Sequence, residues 1–243
     1  MKIIGRGTII VLSVLVLGTA GVCFAIKKEP VKVPPAPTLS TPPPGCDKPA
    51  TEFPDEFLAN VNHANALPEG YVPPDLRPLY KLGFTPEMCL RTVAVPDLSF
   101  MIKAAKVDGL TLKVVSGFRS MARQTQILNQ VKKIKGDKAY ESVAIPGHSE
   151  HQLGLAVDIS GASLKYSLPT KTFELSPEGK WLEANSYKYG FIESYPKGKE
   201  SITGYIYEPW HYRYVGIEMA QKIRDSGLTI QEFLSLPSDK ESK

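Results

Sequence analysis

Three residues with metal-ligating side chains lie in two short stretches of this 243-residue sequence. His151 and Asp158 are seven positions apart in the first stretch, and His211 lies in the second. Two imidazoles and one carboxylate, with a fourth position left open, form a ligand set typical of catalytic Zn²⁺. Glu208 precedes His211 by three residues and could act as a general base on a metal-activated water. The residue types and spacing therefore predict a zinc hydrolase.

The offset between His151 and Asp158 restricts how these two ligands can meet. An odd offset places two side chains on opposite faces of one straight strand. A bend must therefore bring them together, and Gly154 can adopt the backbone that a sharp bend requires. Ala156 shares a strand face with Asp158 and leaves room for an ion. His148 is a competing ligand, ranked lower because nothing after it resembles the unit that follows His151.

A short corner separates Glu208 from His211 in the second stretch. Pro209 fixes its own backbone angle and lacks a donor N–H, so the corner can aim the glutamate and the imidazole at one point. Two simpler interpretations stay open. Trp210 could line a substrate pocket or only fill the core, and His211 by itself would equally suit a buried, hydrogen-bonded core histidine.

Four side chains are candidates for contact with a substrate. Arg119 lies in a turn at residues 116–120, where a guanidinium could bind a carboxylate through two hydrogen bonds or stabilise an oxyanion. An arginine at the edge of the core would fit the same sequence. The other three candidates are Gln126, Ser149 and Trp210.

The elements that must position these residues come in separate runs of helix and strand. Strands are predicted over residues 110–115, 155–159, 191–192, 204–207 and 211–215. Helices are predicted to begin at Asp97, after Ser120, at Pro177, at Ile217 and at Thr229. Because helices and strands do not alternate strictly, the pattern favours an α+β fold. We expect one small catalytic domain with a central antiparallel sheet flanked by helices.

The N-terminal region predicts export. Residues 8–26 form an uncharged, mostly apolar run after Lys2 and Arg6, which is typical of a targeting segment. The run is either a cleaved signal peptide or a retained membrane anchor, and its length favours the anchor. The predicted organisation is a signal peptide or anchor at 1–28, a Pro-rich spacer at 29–50, the catalytic domain at 51–236 and a polar tail at 237–243.

The spacer and the cysteines fit an extracytoplasmic protein. Proline at the density found in residues 29–50 blocks helix and sheet and favours an extended polyproline segment. Of the three cysteines, Cys23 lies in the apolar run, which leaves Cys46 and Cys89. We favour a Cys46–Cys89 disulfide because exported chains tend to pair their thiols. Two unpaired thiols are the alternative.

The charge distribution argues against nucleic-acid binding. The formal net charge is +4, the lysines are scattered, and no stripe of arginine and aromatic residues stands out. A weak attraction to an anionic polymer of the cell envelope would fit this charge.

Several motifs, in this order and at these intervals, resemble the VanY-type D-alanyl-D-alanine carboxypeptidases. This family belongs to the zinc peptidases that also include D-Ala-D-Ala dipeptidases and L,D-carboxypeptidases. The resemblance covers roughly residues 55–235 and includes a lead-in around 61–73. The matching pieces lie at residues 116–120, 147–159, 181–182, 189–192 and 203–214.

The resemblance implies a function and a role for each site residue. His151, Asp158 and His211 correspond to the zinc ligands, and Glu208 corresponds to the general base. Arg119 corresponds to the arginine that polarises the scissile carbonyl and stabilises the oxyanion. The implied partner is a peptidoglycan stem peptide, from which the enzyme would remove the C-terminal D-alanine. The implied fold is a small α+β domain with an antiparallel sheet.

Other functions remain open from the sequence. An L,D-carboxypeptidase or a D-Ala-D-Ala dipeptidase would use the same residues, and the loop at residues 161–172 would help to decide between them. A zinc-containing surface module without catalysis is a further alternative, which the presence of Glu208 and Arg119 disfavours. The oligomeric state is left open.

Overall fold

A computed structural model describes residues 57–84 and 88–236. Its strands are β1 Leu76–Pro78, β2 Cys89–Arg91, β3 Leu112–Ser116, β4 Ala156–Gly161, β5 Phe191–Glu193 and β6 His211–Tyr214. Its α-helices are α1 Val95–Val107, α2 Met121–Lys135, α3 Pro177–Asn185, α4 Glu200–Thr203, α5 Ile217–Ser226 and α6 Ile230–Leu234. The predicted α+β class is confirmed.

A four-stranded sheet with the order β3-β4-β6-β5 positions the candidate site. Every strand pair in it is antiparallel. The two central strands, β4 and β6, are adjacent although about fifty residues separate them in sequence. β1 and β2 form a separate antiparallel pair. The predicted central antiparallel sheet is therefore confirmed.

Local sequence signals explain where three of the six described α-helices begin. Ser120 caps α2 by accepting a hydrogen bond from the backbone N–H of Arg123, and Ser176 caps α3 in the same way through Gly179. α6 opens with a complete capping box formed by Thr229 and Glu232. These caps satisfy N–H groups that lack partners within the helix.

One face of the sheet packs against the main hydrophobic core. Leu155, Val157 and Ile159, whose side chains share one face, are buried there with Leu98 and Met101 of α1. Burying one such side chain contributes about 1.5–3 kcal/mol. This packed face leaves the opposite face of β4, which carries Asp158, for the candidate site.

Two local predictions were wrong. Residues 204–207 are not a strand: Gly204 closes α4 with a φ of 78°, and the backbone N–H of Ile206 donates to the carbonyl of Glu141. α1 begins at Val95, two residues before the predicted cap. The Asp97 carboxylate instead accepts a hydrogen bond of 2.6 Å from the hydroxyl of Tyr214.

The N-terminal segments and the polar tail lie outside the described residues, so the proposed boundaries at 28 and 50 stay predictions. Within residues 57–84 and 88–236, no helix combines the length and apolar character needed to cross a bilayer. Cys89 is disulfide-bonded. Cys46 and Cys23 both lie outside the described residues, so the identity of the partner also stays a prediction.

Candidate metal centre

The two central strands place two of the predicted ligands side by side. Asp158 on β4 is the direct register partner of His211 on β6, and Ser116 on β3 pairs with Asp158 on its other side. Directly opposed residues in an antiparallel pair point to the same face. The Oδ1 atom of Asp158 is accordingly 3.1 Å from the Nδ1 atom of His211.

The third ligand reaches this face through a sharp bend. His151 lies in a 3₁₀ turn, Glu150–Leu153, which Gly154 ends with a φ of 67°. A Cβ at Gly154 would also lie 2.9 Å from the Cδ2 atom of Leu76, so the positive φ and the close packing both favour glycine here. The bend predicted at Gly154 is confirmed, and the Nε2 atom of His151 lies 3.2 Å from the Oδ2 atom of Asp158.

The resulting triad has the donor set and the outer contacts of a zinc site. One ligand atom from each of His151, Asp158 and His211 lies within 4.8 Å of the others. The outward nitrogen of each histidine faces an acceptor: Nδ1 of His151 is 2.7 Å from the carbonyl of Gly117, and Nε2 of His211 is 3.0 Å from Oε2 of Glu150. When each ring carries one proton, such contacts hold it on the outward nitrogen, so the inward nitrogen can bind a metal. These residues therefore fit Zn²⁺.

The pKa values of the two histidines move in opposite directions. Burial and the positive charge of Arg119 lower the pKa of His151 to about 4. Burial also disfavours the charged form of His211, but hydrogen bonds with Asp158 and Glu150 outweigh it and raise its pKa to about 10. Burial opposes ionisation of Asp158 as well, yet the two histidines bring its pKa well below its usual value. The metal-free centre therefore contains a carboxylate beside one imidazolium.

Glu208 borders the same cavity and is not part of the triad. Its backbone is fixed on both sides, because its N–H donates to the carbonyl of Tyr195 over 3.1 Å and its carbonyl accepts from the N–H of His211 over 3.0 Å. Burial raises the pKa of the Glu208 carboxyl to about 8, because its effect is larger than the opposite effect of the positive charges of His211 and Arg119. A half-buried carboxyl with a pKa near neutrality suits proton transfer.

Arg119 is held against the triad by several contacts. Nη2 donates to Oδ2 of Asp158 over 3.4 Å and to Oγ of Ser116 over 3.0 Å. Nη1 donates to Oε1 of Gln124 over 2.9 Å. The backbone N–H of Arg119 also donates to the carbonyl of His151 over 3.1 Å. The guanidinium is thereby oriented toward the cavity before any substrate arrives.

Two neighbouring spaces with shared lining residues border the centre. A cavity of about 210 Å³ is lined by the triad residues, Glu208, Arg119, Ser149 and Trp210. A groove of about 780 Å³ shares Arg119, Asp158 and Trp210 with this cavity and continues past Phe118, Arg123 and Leu168. A peptide could therefore enter the cavity with its end while the rest of the chain occupies the groove.

The structure brings together most of the candidate site residues. His151, Asp158, His211, Glu208, Arg119, Ser149 and Trp210 all line the small cavity. Gln126 is exposed on α2, where its amide oxygen accepts from Arg123 over 3.2 Å. His148 is directed away from the triad, with Nδ1 2.8 Å from the carbonyl of Asn62.

Gln124 and Glu150 are among the site residues that the sequence reasoning did not find. Gln124 is buried and binds both Arg119 and the carbonyl of Ala144. Its position four residues before buried Leu128 indicates the inward face of α2, a signal that could have separated it from Gln126. Glu150 lies next to a predicted ligand, but nothing in its spacing indicates that it faces His211.

Comparison with known proteins agrees with this geometry. A family model described as VanY, D-alanyl-D-alanine carboxypeptidase, matches residues 87–217. YodJ of Bacillus subtilis (strain 168), a carboxypeptidase by name, is 46% identical over 185 residues, which span 74% of this chain and 67% of YodJ. The chain belongs to the VanY D-alanyl-D-alanine carboxypeptidase family. The family resemblance expected from the sequence is confirmed, and the protein is a peptidase.

Further relatives of this VanY-family chain include a named carboxypeptidase and two solved structures. A D-alanyl-D-alanine carboxypeptidase of Enterococcus faecalis is 42% identical over 150 residues, which span 58% of this chain but only 53% of that protein. The LdcB LD-carboxypeptidase is 45% identical with a TM-score of 0.69, covering 76% of this chain and 88% of LdcB. A zinc-bound variant of the VanY D,D-pentapeptidase is 38% identical with a TM-score of 0.62. The match covers 74% of this chain and 99% of the pentapeptidase chain. The predicted zinc cofactor agrees with that complex and with the triad.

Proposed function

We propose that this VanY-family chain removes the C-terminal D-alanine from peptidoglycan stem peptides in a zinc-dependent hydrolysis. The observation that carries the proposal is the convergence of His151, Asp158 and His211 with Glu208 and Arg119 around one cavity. The three ligands would hold the zinc ion, and the other two residues would carry the proton transfer and the charge stabilisation.

Glu208 is assigned the role of general base. A bound zinc ion supplies Lewis-acid chemistry that lowers the pKa of water toward about 7. Glu208 takes the proton of the attacking water and then delivers it to the nitrogen of the departing D-alanine. The pKa of about 8 applies to the metal-free centre, and a nearby cation lowers the pKa of a carboxyl. Glu208 would therefore be ionised and ready to accept a proton near neutral pH.

Arg119 is assigned to the scissile carbonyl. Its guanidinium faces the cavity and is oriented by Gln124 and Ser116, so it needs little rearrangement to donate to an oxygen that gains negative charge. Stabilisation of this kind is worth most when the donors are fixed beforehand. Gln124, rather than the exposed Gln126, is the α2 amide that supports this role.

Ser149 and Trp210 are proposed as substrate contacts in the cavity wall. The upstream residues of the stem would lie in the adjoining groove, where Phe118 and Leu168 offer apolar surface and Arg123 offers a positive charge. An open groove next to the reaction centre favours a carboxypeptidase that acts on longer peptides over a dipeptidase. The loop that carries Leu168 is the wall expected to influence this preference.

An L,D-carboxypeptidase is the second candidate because of the similarity to LdcB. That enzyme and the VanY D,D-pentapeptidase both share their fold with this chain. The two functions differ in the configuration of the residue before the scissile bond, so they require different cavity shapes around the same metal centre.

A wall-peptide substrate implies that the domain works outside the cytoplasm. We propose export through the N-terminal segment, with attachment to the membrane if residues 8–26 are retained. A comparison of the N-terminal sequence of the mature protein with residues 1–30 would decide between cleavage and retention.

Defined peptides test the proposed function directly. The purified protein is incubated with a stem pentapeptide, a tetrapeptide and free D-Ala-D-Ala, and the products are identified by mass. We expect loss of one D-alanine from the pentapeptide, abolished by a chelator and restored by zinc. An intact pentapeptide together with a cleaved tetrapeptide would instead assign L,D-carboxypeptidase activity. No cleavage of any peptide by the zinc-loaded protein would contradict both.

A further inference from the structure

A buried carboxylate lies directly behind one of the metal ligands. Glu150 is 1% exposed, and its Oε2 atom is 3.0 Å from Nε2 of His211. The opposite ring nitrogen, Nδ1, is the one that faces Asp158. Glu150 therefore contacts His211 on the side of the ring that points away from the triad, where it is in no position to be a ligand of the same ion.

Glu150 is held in place by two further donors. The hydroxyl of Ser194 donates to Oε2 over 2.6 Å, and Nη1 of Arg213 donates to Oε1 over 3.3 Å. Ser194 also donates its backbone N–H to the carbonyl of His211 over 3.2 Å. The ring and the backbone of His211 are thus both connected to this small group.

Arg213 supplies the charge that makes a buried carboxylate tolerable. It is fully buried, and it lies two residues after His211 on β6, so both side chains point to the same face of the sheet. Its Nη2 atom donates to the carbonyls of Phe57 and Ala59 over 3.0 and 3.3 Å. The guanidinium is therefore fixed between Glu150 and the backbone of residues 57–59.

We propose that Glu150 is a positioning residue, which fixes the orientation and the tautomer of His211 so that Nδ1 presents its lone pair to the metal. Arg213 and Ser194 hold the Glu150 carboxylate for this purpose. The inference rests on the metal site of the proposed function. It adds a layer of outer contacts in which the backbone of residues 57–59, through Arg213, supports the metal centre.

Removal of the charge at Glu150 should weaken metal binding specifically. A glutamine has nearly the same shape, but its amide nitrogen cannot accept a hydrogen bond from Arg213 or Ser194. Loss of an outer partner of a ligating histidine typically lowers metal affinity by about 10–100-fold. We expect Glu150→Gln to weaken zinc binding by about this factor and to change the absorption spectrum of the cobalt-substituted protein.

The control is a second buried glutamate that is not in contact with the triad. Glu178 is 2% exposed and binds the hydroxyl and the backbone N–H of Ser163. Zinc affinities of the wild type, Glu150→Gln and Glu178→Gln are measured by competition with a chromogenic chelator, after circular dichroism has shown that each variant is folded. Glu178→Gln should keep the parental zinc affinity and cobalt spectrum even if its melting temperature falls.

The outcomes separate this inference from the proposed function. Parental zinc affinity in Glu150→Gln, or an equal loss in Glu178→Gln, would overturn the inference and leave the proposed function standing. If Glu150→Gln does not fold, Ser194→Ala decides: several-fold weaker zinc binding supports the inference and parental affinity overturns it. A wild-type protein that binds no zinc would overturn the inference and the proposed function together.

Discussion

The two imidazoles of the metal-free triad differ in protonation at neutral pH. His211, with a pKa raised to about 10 by Asp158 and Glu150, carries two ring protons, whereas His151, with a pKa lowered to about 4, carries one. A metal can bind only the unprotonated nitrogen. Zinc must therefore displace the proton that His211 shares with Asp158.

Zinc affinity is accordingly expected to rise with pH. Below the raised pKa of His211, protons compete with the metal, so the affinity should increase up to tenfold per pH unit for one displaced proton and level off only near pH 10. Competition titrations between pH 6 and 9 measure the slope. His148→Ala, which alters a ring bound to the carbonyl of Asn62, should show the same slope. An affinity independent of pH would contradict the prediction.

Glu208→Ala should abolish turnover without releasing the metal. The carboxylate is assigned to proton transfer, a contribution of about 10²–10⁴-fold, and it is not one of the three ligands. Hydrolysis of the pentapeptide and zinc content are measured on the same preparation. Glu218→Ala, at an exposed glutamate paired with Lys222, is the control and should be fully active. Near-normal turnover in Glu208→Ala would refute the assigned role.

Sequence reasoning could predict the site residues whose chemistry leaves a pattern. The types and spacing of two histidines, an aspartate and a nearby glutamate predict a metal centre. Gln124 and Glu150 could not be found in this way, because an amide and a carboxylate become site residues only through the partners that the fold brings to them. Gln126 illustrates the difference, since a shift of two positions on α2 moves the side chain from the interior to solvent.

At the scale of elements, the segment that joins β3 to α2 connects the centre to strand β2. The carbonyl of Gly117 accepts from His151, and a Cβ at Gly117 would lie 2.6 Å from the carbonyl oxygen of Cys89. The next residue, Phe118, donates its N–H to that same oxygen over 2.7 Å. The absence of a side chain at Gly117 thus lets this segment pack against β2 and meet His151.

Gly117→Ala should weaken both the fold and the metal site. The added methyl group would push against backbone, and such overpacking costs about 1–3 kcal/mol while it displaces the carbonyl that orients His151. Thermal unfolding and zinc affinity measure the two effects. Gly109→Ala is the matched control: its φ of 80° costs about 1–2 kcal/mol for a residue with a side chain, but zinc affinity should not change. Unchanged zinc affinity in Gly117→Ala would argue against this account.

The elements that carry strong local signals were predictable. The capped helices α2, α3 and α6 and the buried strand β4 follow from the sequence because caps, glycines and apolar periodicity act locally. The strand expected at residues 204–207 failed for a tertiary reason: Tyr205 packs on His63 and Tyr195, and Tyr207 donates to Glu174. The aromatic residues there serve packing between loops, which a strand pattern does not reveal.

At the scale of the whole molecule, Cys89 forms a disulfide bond. We expect Cys46 to be its partner. A peptide map of the non-reduced protein should contain a Cys46–Cys89 cross-linked peptide, and Cys46→Ser should remove it whereas Cys23→Ser should not. Loss of the bond should lower stability by about 2–4 kcal/mol, seen as a lower melting temperature. A cross-linked peptide that contains Cys23 would refute the pairing.

The direct pairing of Asp158 with His211 across β4 and β6 also affects how the protein acquires its metal. A slip of one residue between these strands would turn one of the two side chains to the wrong side of the sheet, and the ion would lose a ligand. Mispaired molecules would then bind zinc more weakly. We therefore expect the zinc content of a refolded preparation to report the fraction of molecules in which β4 and β6 have paired in this register.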